Sequence, residues 1–236
     1  MISPMEFQIS PNVFTDAATN VSGLLNRIIA LHGECSVVVS GGSAVHLTLQ
    51  HLTNYDVPWS SVRLYMADER CMSRDDINRN DAMVYRTLVQ PVDIMSEHFF
   101  QIPAELGPHH AAQSYARTLS SIEHFDIALL GVGPDGHIAS LFPHHPSIED
   151  KERVVAVENS PKLPLNRVSV GLTMLRGATH RIVVVAGEEK SDLIARLHQG
   201  EMPPVALVNP TKWFLDSQVT EIGNDHATTM QQGSTT

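Results

Sequence analysis

The stretch Phe125 to Pro143 reads FDIALLGVGPDGHIASLFP, and we expect the fold and the chemistry of the chain to centre on it. An unbroken apolar run at 127–130 ends in the glycine-rich turn GVGPDGH at 131–137. Glycine permits backbone conformations with positive φ and lets a ligand approach the main chain. The turn brings Asp135 and His137 into one small volume, and histidine is the side chain that exchanges a proton near neutral pH. This turn is therefore the first candidate for a catalytic site.

Two interpretations of the turn are open from its residues alone. In the first, His137 activates water directly, while Asp135 holds one tautomer of the imidazole and stabilises its cation. A covalent intermediate is less favoured, because no serine in a nucleophile elbow and no reactive cysteine lies nearby. In the second interpretation, Asp135 is a capping residue and His137 is a packed core histidine.

The composition indicates a globular protein with a substantial core. The 236 residues are 42% apolar and 18% charged, which is typical of an α/β protein and not of a disordered chain. A chain of this length buries roughly 70 to 75% of its unfolded surface. The two cysteines do not make a disulfide framework, and no charged-then-apolar leader opens the chain. We therefore expect a cytoplasmic protein.

Charge and hydropathy disfavour several classes of partner. The formal net charge of -10 disfavours nucleic acid, because binding to the phosphate backbone draws on clustered Lys and Arg. Apolar runs are far shorter than the roughly 20 residues of a membrane-spanning helix, so we expect no membrane span. The histidine pairs at 109–110 and 144–145 lack a cysteine or carboxylate at ligand spacing. We interpret them as exposed loop residues and expect no metal.

Apolar periodicity predicts alternating strands and helices along the chain. Strands are predicted at 6–10, 37–39, 62–66, 153–158, 167–172, 181–186, 205–208 and 213–216. Helices are predicted at 15–31, after 43, at 78–88, at 107–120 and from 188. This alternation predicts a single-domain α/β fold over residues 1–222, with a Rossmann-like, mostly parallel sheet flanked by helices. The polar end, residues 223–236, is expected to be a flexible tail.

Three further segments are typical of an anion site, although each has a plainer interpretation. SGGS at 40–43 joins a strand to a helix, where free amides surround phosphates, but tight turns also use glycine for steric reasons. DER at 68–70 follows an apolar strand, either as a ligand site or as a surface turn. Lys190 lies in the first turn of the helix predicted from 188, where a cation needs an anionic ligand or a neighbouring carboxylate such as Glu188 or Glu189.

Five motifs in this order resemble the 6-phosphogluconolactonases, a family of the sugar-phosphate isomerase-like α/β superfamily. They are SGGS at 40–43, DER at 68–70, GVGPDGHIASLFP at 131–143, SPKLPLNR at 160–167 and AGEEK at 186–190. The third motif is highly specific, whereas the others are individually modest and count through their joint order. The resemblance implies hydrolysis of 6-phospho-D-glucono-1,5-lactone to 6-phosphogluconate, in the oxidative pentose phosphate pathway.

The resemblance also implies a role for each motif. His137 is expected to be the general base that takes a proton from water attacking the lactone carbonyl, and Asp135 to orient or tune it. Arg167 and Lys190 are expected to bind the phosphate. The other implied substrate-binding residues are Gly41, Gly42 and Ser43 in the first loop, with Asp68 and Arg70 at the sugar end. No metal or organic cofactor is implied, and we expect a monomer whose partner is the phosphosugar lactone.

Two alternative functions stay open. Glucosamine-6-phosphate deaminases or isomerases share the fold and the GxGxDGH turn, but typically continue with an AFNEP-like sequence and carry DEY. This chain instead has ASLFP at 139–143 and Arg70. A non-catalytic sugar-phosphate sensor would keep the pocket, yet it would not need the base His137. The chain departs from the lactonase pattern at Ala44 and Val45, where family members commonly continue SGGS with TP.

Overall fold

The computed structural model of the protein describes residues 7–219, so Glu6 and the predicted tail at 223–236 lie outside the described residues. The strands in this range are β1 (Phe7–Ser10), β2 (Cys35–Val39), β3 (Val62–Met66), β4 (Asp68–Arg70), β5 (Phe99–Phe100), β6 (Ile127–Gly131), β7 (Val154–Val157), β8 (Arg167–Val170), β9 (His180–Val185) and β10 (Lys212–Asp216). The α-helices are α1 (Val13–His32), α2 (Ser43–Leu52), α3 (Asn80–Val84), α4 (Pro108–Thr118), α5 (Leu172–Arg176), α6 (Ser191–His198) and α7 (Pro204–Leu207). Within residues 7–219, no helix is both long and apolar enough to cross a membrane.

The main sheet has the strand order β1-β10-β9-β6-β2-β3-β5, and every neighbouring pair in it is parallel. In the central strand β6, Leu129 pairs with Val39 on one side and Ile182 on the other, and all three are buried. Such strands read as continuous apolar runs because both faces of the sheet are covered. The predicted α/β fold, with a mostly parallel sheet flanked by helices, is confirmed.

A second sheet is small and antiparallel, with the strand order β4-β8-β7. It contains the strands predicted at 153–158 and 167–172, which therefore do not belong to the main sheet. It also contains DER as strand β4, so the surface-turn interpretation of DER is wrong, and Asp68 and Glu69 are buried. The local sequence pattern predicts strands, but it does not identify their pairing partners.

The strand predicted at 205–208 is wrong, because this segment forms helix α7. Pro204 occupies the first helical turn, where its missing N–H costs nothing. Val205 and Ala206 are buried, and the N–H of Val205 donates to the carbonyl oxygen of Gly136 at 3.1 Å. A short apolar run does not distinguish a buried helical turn from a buried strand. The contact instead makes α7 a support for the glycine-rich turn.

The carboxyl ends of parallel strands meet at one edge of a sheet, and four of the segments singled out in the sequence lie there. Strand β2 leads into 40–43, β3 into 68–70, β6 into 131–137, and β9 into 186–190. Residues more than a hundred positions apart in sequence are thus brought to one region by strand pairing alone.

The helix predicted at 78–88 is present as α3 followed by a π-helical segment, Tyr85–Val89. Its N-terminus is not capped by its own side chains. Instead the carboxylate of Glu69 accepts the backbone N–H groups of Asn80 and Asp81, each at 2.8 Å. Burial, together with the nearby Asp81 carboxylate, raises the pKa of Glu69. A buried acid of strand β4 therefore holds the start of α3.

Arg79 neutralises this buried acidic region. Its side chain is fully buried, and its guanidinium lies 2.8 Å from Asp81, 3.1 Å from Glu105 and 3.9 Å from Glu69. Taking such charges out of water is costly unless they are paired and hydrogen-bonded. Arg79 is therefore required for the join between β4 and α3.

Arg79→Met is expected to lower the free energy of unfolding by about 3–5 kcal/mol, because Glu69 and Asp81 would stay buried without their cation. Urea unfolding followed by circular dichroism measures the loss. The control is Arg63→Met, since Arg63 pairs with the exposed Glu34 at 3.2 Å and surface pairs contribute about 1 kcal/mol or less. Equal losses in the two variants would contradict the role assigned to Arg79.

Candidate active site

A cavity of about 220 Å³ opens at the carboxyl edge of the parallel sheet. The predicted site residues in its lining are Gly41, Gly42, Ser43, Asp68, Arg70, His137, Arg167 and Lys190. Asp135 is not in the lining, but it contacts His137, which is. The fold thus brings all the residues singled out in the sequence to one place, including three cations in a protein whose net charge is -10.

The first loop of the site requires glycine for a steric reason. A Cβ on Gly41 would stand 2.2 Å from Oδ1 of Asn80, so no larger residue fits without displacing that side chain. The hydroxyl of Ser40 accepts the N–H of Gly131 at 3.0 Å, which ties this loop to the turn after β6. Helix α2 begins at Ser43, and the first amides of a helix have no partner within it. These amides are suited to an anion in the cavity.

The wall next to this loop is held by buried side-chain hydrogen bonds. Oδ2 of Asp68 accepts the hydroxyl hydrogen of Ser140 at 2.6 Å, and Nδ2 of Asn80 donates to the carbonyl oxygen of Asp68 at 3.2 Å. Arg70 donates to the carbonyl oxygen of Asn78 and also lines the cavity. The sequence pattern around Asn80 indicated only the start of a helix. Asn80 follows DER by ten residues, and this closeness along the chain was the available signal that it belongs to the site.

The glycine-rich turn holds His137 and Asp135 in direct contact, with Nδ1 of the ring 2.5 Å from Oδ1 of the carboxylate. An ionised carboxylate only accepts, so Nδ1 carries the proton and Nε2 is left as the free acceptor. A Cβ on Gly133 would lie 2.1 Å from Nδ1, so the ring packs directly on a bare glycine. The ring of Phe142 covers the imidazole, with centroids 4.6 Å apart.

Asp135 is ionised at neutral pH. Its partial burial would raise its pKa, but the hydrogen bond with His137 and the charges of His137 and Lys162 outweigh burial. Together they hold the pKa of this carboxyl well below its usual range. The pair is therefore arranged to keep one imidazole tautomer and to stabilise the ring when Nε2 takes up a proton.

Lys162, for which the sequence predicted no role, lies beside this pair. Its Nζ is 3.5 Å from Oδ1 of Asp135 and 3.4 Å from Nδ1 of His137. The side chain is 41% exposed and does not line the cavity. A lone lysine in the proline-containing segment 160–167 was the signal that could have identified it.

The two predicted phosphate ligands already have partners within the protein. Arg167 is buried and donates to carbonyl oxygens of the preceding loop, and burial lowers the pKa of its guanidinium. The same guanidinium lies over the ring of Phe142, 5.5 Å from its centroid. Lys190 pairs with Glu189 at 2.7 Å, so the neighbouring carboxylate proposed as the plainer explanation is present. Both cations nevertheless line the cavity.

The prediction that both histidine pairs lie in loops needs one correction. His109 and His110 lie in the first turn of helix α4 and not in a loop, because Pro108 begins that helix. His109 pairs with Glu158 at 3.2 Å, while Nε2 of His145 lies 2.8 Å from the carbonyl oxygen of the same residue. Across residues 7–219, no group of three His, Cys, Asp or Glu side chains is arranged to hold a metal ion.

Solved structures share this fold across two chemistries. The crystal structure of a 6-phosphogluconolactonase from Thermotoga maritima superimposes with a TM-score of 0.84 at 22% identity, covering 90% of this chain and 99% of that chain. A monomeric glucosamine-6-phosphate deaminase superimposes with a TM-score of 0.81 at 16% identity, covering 92% of this chain and 100% of that chain. At these identities the likeness shows the fold alone.

Comparison with related sequences identifies the family and not only the fold. The 6-phosphogluconolactonase of Mycobacterium tuberculosis is 32% identical over 221 residues, which cover 85% of this chain and 90% of the relative. The human 6-phosphogluconolactonase is 36% identical over 197 residues, covering 75% of this chain and 76% of the relative. The sequence model of the family described as glucosamine-6-phosphate isomerases/6-phosphogluconolactonase matches residues 10–219. The chain therefore belongs to the family of glucosamine-6-phosphate isomerases and 6-phosphogluconolactonases.

Proposed function

We propose that the protein hydrolyses 6-phospho-D-glucono-1,5-lactone to 6-phosphogluconate, with His137 as the general base. The observation that carries this proposal is the Asp135–His137 pair at the cavity wall, in which Nδ1 lies 2.5 Å from the carboxylate and Nε2 makes no hydrogen bond to residues 7–219. The relatives that are 30% or more identical over most of the chain include several named 6-phosphogluconolactonase.

In the proposed reaction, Nε2 of His137 takes a proton from water as the water oxygen attacks the lactone carbonyl carbon. Asp135 stabilises the resulting imidazolium through Nδ1. The carbonyl oxygen becomes negative and then re-forms the carbonyl as the bond from the same carbon to the ring oxygen breaks. The imidazolium returns its proton to that leaving oxygen, so the products are a free hydroxyl and a carboxylic acid, which ionises in water. Proton transfer of this kind contributes about 10²- to 10⁴-fold to the rate.

The charges around the cavity support a phosphorylated substrate. Lys190, Arg167 and the amides at the start of helix α2 are proposed to bind the phosphate. Backbone amides of the glycine loops, or Arg70, are proposed to stabilise the negative oxygen of the intermediate. Asp68 is an acceptor suited to sugar hydroxyls. No step in this scheme uses a metal or an organic cofactor.

Residues that differ between the two chemistries of the family favour the lactonase. Arg70 stands where deaminases typically have tyrosine, and ASLFP at 139–143 stands where they have an AFNEP-like sequence. A sensor without catalysis would gain nothing from the Asp135–His137 contact. A monomeric state and a cytoplasmic location stay predictions from the sequence.

The substrate prediction is tested by offering both phosphosugars to the purified protein. Freshly made 6-phosphogluconolactone should be consumed faster than in buffer, measured in a pH-stat by the acid released. Glucosamine 6-phosphate should release no ammonia. Ammonia release without acceleration of lactone hydrolysis would replace the proposed function by the deaminase.

His137→Ala is expected to lower kcat for the lactone by about 10²- to 10⁴-fold, because the general base is lost. The control is His124→Ala, since His124 is exposed and makes no hydrogen bond in the described part of the chain. The control should keep the rate of the unchanged protein. An active His137→Ala protein would remove His137 as the base.

Asp135→Asn tests the ionised carboxylate through the pH dependence of stability. A group whose pKa is lowered by folding stabilises the fold at pH values above its ordinary pKa, which is 3.8 for this carboxyl. This stabilisation disappears as the pH falls towards the lower pKa of the folded state. The Tm difference between the unchanged protein and Asp135→Asn should therefore be present at about pH 5 and shrink as the pH falls below about 4. Thermal unfolding between about pH 2.5 and 5 measures it. A difference that grows across this acidic range would contradict the lowered pKa.

A further inference from the structure

We propose that Lys162 is a positioning residue, whose ammonium group holds the Asp135 carboxylate against Nδ1 of His137, and that Arg167 sets its place. This inference rests on the proposed function, because it concerns the same catalytic pair. It gives Arg167 a second role besides the phosphate binding expected from the sequence.

One carboxylate oxygen of Asp135 has two partners. Oδ1 of Asp135 accepts from His137 at 2.5 Å, and the ammonium of Lys162 lies 3.5 Å from the same oxygen. A cation at this distance restrains the carboxylate and keeps it ionised, and an ionised carboxylate accepts only. The proton of the neutral imidazole is then kept on Nδ1, and Nε2 is kept free for water.

The loop that carries Lys162 is closed by backbone and hydroxyl hydrogen bonds. The buried Ser160 donates its hydroxyl to the carbonyl oxygen of Lys162 at 2.9 Å and accepts the N–H of Lys162 at 3.3 Å. The N–H of Ser160 donates to the carbonyl oxygen of Leu165 at 2.9 Å. The two ends of the loop are thus joined, although Leu163 at its tip is exposed.

Arg167 binds three backbone carbonyl groups of this loop. Its Nη2 donates to the carbonyl oxygens of Leu163 at 2.8 Å and Lys162 at 3.2 Å, and its Nε donates to that of Pro164 at 3.1 Å. Its Nη1 makes no hydrogen bond to the described residues 7–219, and the side chain lines the cavity. One guanidinium therefore lines the cavity and also fixes the backbone from which Lys162 extends.

Lys162 itself does not line the cavity, so it is not assigned contact with the substrate. A partly exposed lysine adds little to stability through its ion pair, since such pairs contribute about 1 kcal/mol or less. Its effect is therefore expected in the turnover step and not in substrate binding or global folding.

A double-mutant cycle tests the inference with four proteins: unchanged, Lys162→Met, Arg167→Ala and the double variant. Lys162→Met is expected to lower kcat about 10-fold with KM within about twofold of the original. Arg167→Ala is expected to raise KM, and to lower kcat by at least as much as Lys162→Met does. In the Arg167→Ala background, Lys162→Met should cost less than about twofold in kcat, because residues acting through one network are not additive.

Two further variants separate the positioning role from a loss of bulk or fold. Lys162→Arg keeps the charge and should recover most of kcat. Lys151→Met removes an exposed lysine that has no partner among the described residues, and it should match the unchanged protein. An unchanged kcat in Lys162→Met, an effect on KM alone, or full additivity with Arg167→Ala would each overturn the inference.

A measurement without substrate keeps the inference testable if the lactone is not turned over. Nitrogen-15 NMR of labelled histidine, with the His137 signal assigned by its loss in His137→Ala, reports the tautomer directly. The Nδ1–H tautomer should dominate in the unchanged protein and in Lys162→Arg, and become mixed in Lys162→Met and Arg167→Ala. An unaltered tautomer in Lys162→Met would overturn the inference, whereas an inactive unchanged protein with the expected tautomers would overturn only the proposed function.

Discussion

Parallel pairing of the seven strands in the main sheet is the constraint on which the site depends. Because all these strands run in the same direction, the segments after β2, β3, β6 and β9 leave the sheet at one edge. The cavity is lined by those segments, together with residues of the small antiparallel sheet. Reversal of any one of these strands would carry its motif to the opposite edge and dismantle the site.

Buried polar contacts then convert this shared edge into a defined geometry. Glu69 binds backbone N–H groups of Arg70 and Asn80 at 2.8 Å each, and so joins strand β4 to helix α3 in one wall. Arg167 does the same for the loop at 160–166 through three carbonyl oxygens. In a low-dielectric interior an unpaired polar group is costly, so each of these groups specifies one arrangement of its neighbours. The same residues that bring charge to the cavity therefore also fix its shape.

The fold and most of the residues that form the site were predictable from the sequence. The contacts between those residues were not. Apolar runs in the sequence predicted strand β3 and most of strands β6, β9 and β10. Such runs occur because both faces of a parallel strand are buried. Helix α7 was mistaken for a strand, since a four-residue apolar segment has no decisive period. Lys162 received no role because its neighbours in space, Asp135 and His137, are 27 and 25 positions away in sequence.

By itself, the sequence determined the fold class, the family and eight of the residues that line the cavity, because periodicity and ordered motifs are local properties. Only the tertiary structure decided that DER is a strand of a second sheet and that Arg167 binds the loop carrying Lys162. It also decided that Asp135 contacts His137, which a spacing of two residues does not ensure. These are contacts set by strand pairing and by the conformation of the glycine-rich turn, where Gly133 lets the ring lie against the backbone. The physical reason is that the apolar pattern of the sequence predicts which residues are buried. The distances and orientations between side chains are fixed only when the chain has folded and packed.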